Sequence, residues 1–229
     1  MLYTLENVKA NLRNRNGKRV FYLGSKDQLT PGARDFLREQ KVELLSSDQA
    51  APAEYRLLCG GILREKPEHM THLHGNVLVN KTHTRIAFRG AIDTLEAEII
   101  LCKLSVPDAL ARELDQILAL ARELIACEVL DKPLVWETLC GMTEEELRRR
   151  SHLPQEYYGQ PHFMPQASDG IVIAWLNRCR CAIRTAELAA AHAFQTPEGT
   201  CSRPDILKAL NRMSSTMYLL MIQQKASRQ

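Results

Sequence analysis

Beyond about residue 84, apolar residues recur at helical spacing, and this periodicity defines the fold. Ile86, Ile92, Ile99 and Ile100 form an apolar stripe that reaches Leu101, while Arg89 and Asp93, four apart, share another face. Pro107 opens a second helical segment, in which Leu110, Leu114, Ile117, Leu118, Leu120, Leu124 and Ile125 lead to about Leu130. A shorter helix is predicted over 143–150, with Glu144, Glu145 and Glu146 leading and Arg148, Arg149 and Arg150 trailing, the orientation that the helix macrodipole favours. Residues 152 to 170 mix aromatic and His side chains with Pro and Gly and read as an ordered loop. Two long helices follow, about Gly170 to Phe194 and Ser202 to Gln224, the second opened by Ser202 and Pro204.

The first fifty residues follow another pattern. Val20 to Leu23 reads as a short strand, Leu29 to Glu39 as a helix with Thr30 as N-cap and Pro31 at its first position, and Val42 to Leu45 as a second strand. The turn-rich stretch Ser46 to Glu54 reads as a linker, and the apolar content before it is too small for an independent core. The expected architecture is mainly α: an antiparallel helical bundle with four or five principal helices and a small N-terminal α/β segment. The division falls at 1–55 for the small segment and linker and 56–229 for the bundle.

Composition narrows the class. In 229 residues, 45% are hydrophobic and 25% charged, which is ordinary for a globular protein. Thirty basic and 27 acidic residues leave a net charge of only +3, too little for the electrostatic footprint of a nucleic-acid binder. An anion site must therefore be local. The seven cysteines are odd in number and sit mostly in apolar helical stretches, a pattern of reduced thiols in a cytoplasm. No apolar run is long enough to cross a bilayer, and residues 1–6 lack the start of a secretory signal. A cytoplasmic protein without a membrane partner is expected.

Four constellations could carry chemistry. Arg180, Arg184 and Glu187 fall at i, i+4 and i+7 on one face of an otherwise apolar, Ala-rich helix. Inside a bundle such guanidiniums need a ligand phosphate or a carboxylate. A solvated charged stripe is the alternative. On the last helix Asn211, Ser214, Ser215 and Tyr218 form a polar stripe, suited to hydrogen bonding inside the bundle or simply to close helix packing. Between His72 and Arg89 a Gly-containing loop carries Lys81 and Arg85 into the start of a helix, a local composition that fits a triphosphate. Neither GxxxxGK[ST] nor GxGxxG is present. Finally, His69, His72 and His74, with Cys59, are weak candidates for a metal site, since no paired CxxC accompanies them.

Together these pieces resemble the cobalamin adenosyltransferases, most closely the ethanolamine-utilisation type. The resemblance rests on Lys66-Pro67, Thr71-His72-Leu73, Lys81, Thr84-Arg85, Phe88-Arg89 and Asp93, then on Ser151-His152, Tyr157, His162, Pro165, Ala167-Ser168 and Gly170. It ends in the long block from Arg203 through Asn211-Arg212 to Tyr218, and spans about residues 25 to 225. It implies a five-helix bundle that assembles as a homotrimer with the nucleotide between subunits. It further implies transfer of the adenosyl group of ATP to cob(I)alamin, with Mg²⁺ and release of triphosphate. Thr71, His72, Lys81, Arg85, Arg89, Arg184, Glu187 and Asn211 would bind ATP, and Arg180 would form an ion pair with Asp93 beneath the nucleotide. His162, Phe163 and Met164 would face the cobalamin, where an apolar surface that removes the lower axial ligand eases reduction of Co(II). A cobalamin-dependent ammonia-lyase would receive the product, with a bacterial microcompartment as a candidate location. A non-catalytic corrinoid- or ATP-binding carrier is the alternative, and a metal-binding helical structural protein a third.

Two departures from the family pattern stand out. Of the HX11CCX2C metal motif of the ethanolamine type only the last cysteine survives, as Cys59, with Tyr55 and Arg56 where the others would stand. Ser215 replaces the acid that follows Leu-Asn-Arg-x-Ser in the propanediol type.

Overall fold

The computed structural model describes residues 2–15, 17–46 and 54–227, which form two compact units, Met1–Pro67 and Glu68–Gln229. The division lies later than 55/56 because β6 (Tyr55–Leu57) and β7 (Ile62–Leu63), paired as an antiparallel hairpin, belong to the first unit. The stretch expected to be a linker lies almost wholly outside the described residues.

In the first unit β1 (Leu2–Tyr3) pairs in parallel with β4 (Gln28–Leu29). A three-stranded sheet runs β2 (Arg13–Arg15), β3 (Lys18–Leu23), β5 (Glu43–Ser46), with the parallel β3 and β5 joined through α2 (Pro31–Glu39). Thr30 caps α2 by accepting from the Ala33 N–H at 3.4 Å, as its sequence predicts. Helix α1 (Leu5–Ala10) opens with a capping box in which Asn7 takes the part usually played by Glu. Contrary to expectation, the unit has a core of its own: Val8, Phe21, Leu29, Ala33 and Leu37 are buried together, with Tyr3 meeting Phe21 edge-on. Each such side chain contributes about 1.5–3 kcal/mol if fully buried, and less for alanine.

The second unit begins with a hairpin, β8 (Met70–His74) and β9 (Val77–Asn80), closed by Gly75-Asn76 with Gly75 at φ +50°. This replaces the loop expected before the first long helix. A two-residue glycine-asparagine turn between strands that bury Leu73, Leu78 and Val79 accounts for it. Four long helices follow: α3 (Thr84–Lys103), α4 (Asp108–Val129), α7 (Gly170–Phe194) and α8 (Pro204–Ala226). Between α4 and α7 lie a small hairpin, β10 (Thr138–Leu139) with β11 (Met142–Thr143), then α5 (Glu144–His152) and α6 (Pro154–Tyr158). The segment expected as a loop thus contains a short helix, α6, which Gly159 ends in the left-handed conformation.

Side-chain pairs set the helix directions. Lys103–Asp115, Arg122–Glu96 and the contacts of Arg85 and Arg89 with Glu128 run α3 against α4. Arg178–Glu98 and the edge-on contact of Phe88 with Phe194 do the same for α3 and α7, and Asn211–Glu187 with Arg180 over Tyr218 for α7 and α8. All three pairs are antiparallel, and α5 packs against α8. Helix α8 is the most buried of the four. Ile206, Leu210, Met213, Met217, Leu219, Leu220, Met221 and Ile222 bury it on nearly all sides, the pattern of an interior helix. Its start is fixed by Asp205, which accepts from Arg203 at 2.8 Å and from the Leu134 N–H at 2.9 Å. Burial works to raise the Asp205 carboxyl, but these donors and the Arg203 charge outweigh it and hold it at about 2. No described helix is long and apolar enough to cross a membrane.

Candidate active site

A cavity of about 830 Å³ opens where α7, α8 and residues 151–165 meet, within the usual range for small-molecule sites of about 300–1,000 Å³. Helix α7 contributes Asn177, Arg180, Cys181 and Arg184, and α8 contributes Asn211, Ser214, Ser215 and Tyr218. The opposite wall is apolar, with Phe163, Met164 and Pro165 beside His162. Residues Cys179, Ile183 and Ala186 bury the other face of α7, which directs the arginines to this side. The two stripes read from the sequence and the loop between them therefore share one space.

Among the described residues neither Arg180 nor Arg184 has a hydrogen-bond or ion-pair partner. The Arg180 guanidinium lies 5.6 Å from the centroid of the Tyr218 ring, a cation–π arrangement. Asp93 does not pair with Arg180 within the chain. It is exposed on α3, turned away from the buried stripe Phe88, Ile92, Leu95, Ile99. Glu187 stands next to the cavity: its Oε1 accepts from Asn211 Nδ2 at 3.1 Å, while Asn211 Oδ1 accepts from Arg212 Nη2 at 2.6 Å.

The β8–β9 end is built differently. Its organiser is Glu128 on α4, whose side chain is completely buried. Arg85 Nε donates to one carboxylate oxygen and Arg89 Nε to the other at 2.7 Å. Arg85 Nη2 also reaches the Glu128 carbonyl at 3.0 Å, and Arg89 donates to the carbonyls of His72 and Leu73 at 3.3 and 2.6 Å. Of five N–H donors each, Arg85 thus spends two and Arg89, likewise expected to bind ATP, three on tying α3 to α4 and to strand β8. Lys81 meets only the exposed Glu68, at 3.0 Å, a pair worth little. His83 caps α3 by accepting the Arg85 N–H on Nδ1 at 3.2 Å. Burial, and then the charges of Arg85 and Arg89, push its pKa below the ordinary value and keep that nitrogen an acceptor. Thr71 and His72 lie on β8 opposite Val79 and Leu78. Phe88 near this end touches Phe194 at the end of α7, about 15 Å along the helix axis from Arg184.

Among the weak metal candidates, His69, His74 and Cys59 are exposed, and no group of three His, Cys, Asp or Glu side chains gathers as a metal site among the described residues.

Sequence reasoning missed Glu128 and Asn177, though both carried a signal. Glu128 falls four residues after Leu124 on the apolar face of α4, where a carboxylate needs a cationic partner. Asn177 falls three residues before Arg180, on the same stripe.

A cavity with a polar wall on two antiparallel helices, cationic on α7 and neutral on α8, and an apolar wall on a loop suits a ligand that is anionic at one end and largely apolar at the other. Residues 62–224 match the model of the family described as cobalamin adenosyltransferase, and the chain belongs to that family. Two relatives named corrinoid adenosyltransferase EutT, from Salmonella typhimurium (strain LT2) and Escherichia coli (strain K12), are each 30% identical over 238 residues, covering 94% of this chain and 89% of theirs. No solved structure matches the chain.

Proposed function

We propose that the protein is an ATP:cob(I)alamin adenosyltransferase whose reacting centre lies at the cavity between α7 and α8. The observation that carries this reading is the meeting of Arg180, Arg184 and Asn211 with His162, Phe163 and Met164 around one space. In the reaction the Co(I) electron pair forms a bond to the 5′ carbon of ATP, and the C5′–O bond breaks with its electrons leaving on triphosphate. The nucleophile needs no activation, so the protein's task is alignment and neutralisation of the leaving group. Arg184, free of a carboxylate partner among the described residues, serves the second task, and Arg180 stands one turn before it beneath the nucleotide. Asn211, held by Glu187, fixes the adenosine end. Mg²⁺ enters with the nucleotide phosphates.

Lys81, Thr71 and His72 complete the nucleotide site from a neighbouring copy. The separation of the start of α3 from Arg184, about 15 Å along α7 by way of Phe88 and Phe194, supports assembly into a homotrimer, in which Asp93, exposed on α3, also gains access to a partner's Arg180. In this reading α5 is the fifth helix of the bundle. Arg85 and Arg89 act through Glu128 by holding β8 and the start of α3. His162, Phe163 and Met164 present the apolar surface that displaces the lower axial ligand of cobalamin. An ammonia-lyase dependent on adenosylcobalamin is the recipient, and a bacterial microcompartment the proposed setting.

The test is anaerobic incubation with chemically reduced cobalamin, ATP and Mg²⁺, followed by visible spectroscopy. Appearance of the alkylcobalamin spectrum is expected. Binding without conversion would point instead to a carrier.

A further inference from the structure

We propose that Tyr218 is a positioning residue that fixes the loop 162–164 across the cavity and sets corrinoid affinity through its hydroxyl. The inference rests on the reading that this loop faces the corrinoid. Three observations support it.

First, one hydroxyl gathers the loop. The Phe163 N–H donates to the Tyr218 oxygen at 3.0 Å. The same hydroxyl lies 3.3 Å from the Phe163 carbonyl and 3.2 Å from His162 Nδ1. His162 Nε2 is 3.2 Å from the His152 carbonyl. An imidazole that donates from Nε2 to that carbonyl accepts at Nδ1 from Tyr218, so the phenol locks the ring as well as the backbone.

Second, the anchor is rigid. Tyr218 projects from α8 between Met217 and Leu219, both fully buried, so its oxygen is placed by the core of the unit. The rings add to this. His162 stacks on Tyr218 at 5.7 Å and 12°, and Phe163 at 6.1 Å and 25°. Lys225 lies 4.2 Å from the Phe163 centroid and is held by Asp169 at 2.9 Å. Met164, 82% exposed, is left as the free tip of a loop whose base is fixed.

Third, the same ring supports Arg180, so a single side chain touches both walls of the cavity. The hydroxyl serves the loop alone, whereas the ring serves both the loop and Arg180. That division makes the role separable by substitution.

Tyr218→Phe removes the hydroxyl and keeps the ring. Its KM for reduced cobalamin is expected to rise about tenfold, the size of losing one or two hydrogen bonds, while its KM for ATP stays within about twofold. Its thermal midpoint should fall by no more than about 2–4 °C. Tyr218→Leu also removes the ring and should raise both KM values. Unchanged KM values in Tyr218→Phe, a proportionate rise in both, or a rise for ATP alone would overturn the proposal. Failure of the adenosyltransferase reading is distinguishable, because the wild type itself would then form no alkylcobalamin. Equilibrium dialysis with hydroxocobalamin decides in that case: weaker binding by Tyr218→Phe supports the role, and equal binding, or none by either protein, overturns it.

Discussion

The pairs Arg85/Arg89 on α3 and Arg180/Arg184 on α7 have the same spacing, one helical turn, and opposite surroundings. The first pair encloses a completely buried carboxylate, with side chains only 22% and 18% exposed. The second faces a cavity, and among the described residues it meets no carboxylate. Spacing on a helix shows that two charges share a face, but only the neighbouring helix decides what that face meets. Opposite Arg85 and Arg89 α4 supplies Glu128, and opposite Arg180 α8 supplies an aromatic ring and, nearby, neutral Asn211 and Ser215. A charge already neutralised inside the fold contributes stability. A charge without such a partner remains available to a ligand phosphate.

This contrast can be broken by substitution. The largest expected effect is that of Glu128→Ala, which leaves two largely buried guanidiniums without their partner and should destabilise the second unit by about 3–5 kcal/mol. Chemical denaturation would measure it, and a loss below about 1 kcal/mol would show that water or other groups replace the carboxylate. A smaller effect is expected from Asp205→Asn. The carboxyl is held at about 2 against an ordinary 3.8, so its ionised form stabilises the fold by about 2 kcal/mol at neutral pH. Because the folded value is the lower one, this contribution is present above about pH 4 and is lost as the pH falls through about 2. Thermal midpoints of wild type and variant should therefore differ at pH 7 and converge on acidification. A gap that does not depend on pH would remove the electrostatic explanation.

Much of the bundle was legible because long amphipathic helices carry their own periodicity. The expectation of a helix from Gly170 to Phe194 coincides with α7, and those opened by Pro107 and Ser202 differ from α4 and α8 only at their ends. Short elements were less so. The hairpin β8–β9 offers only a Gly-Asn turn and a few alternating residues, and α6 holds five residues between Pro154 and Tyr158. At the site, Arg180, Arg184, Asn211 and the loop at His162 were readable as stripes and as a motif. Their convergence on one cavity was not, because it depends on how α7 and α8 pair. Arg85 shows the reverse. Its residue type and place at a helix start suggest a phosphate, yet the deciding partner, Glu128, is 43 residues away.

In the proposed function the α7 arginines face the ligand while the α3 arginines serve the fold. Turnover of Arg184→Ala, measured as alkylcobalamin formed from reduced cobalamin and MgATP beside its thermal midpoint, tests this most directly. A loss of about 10²–10³-fold in turnover is expected, as for removal of a group that stabilises developing charge, with a midpoint equal to that of the wild type. Near-normal turnover of Arg184→Ala, together with an Arg85→Ala protein that is fully stable but inactive, would contradict it.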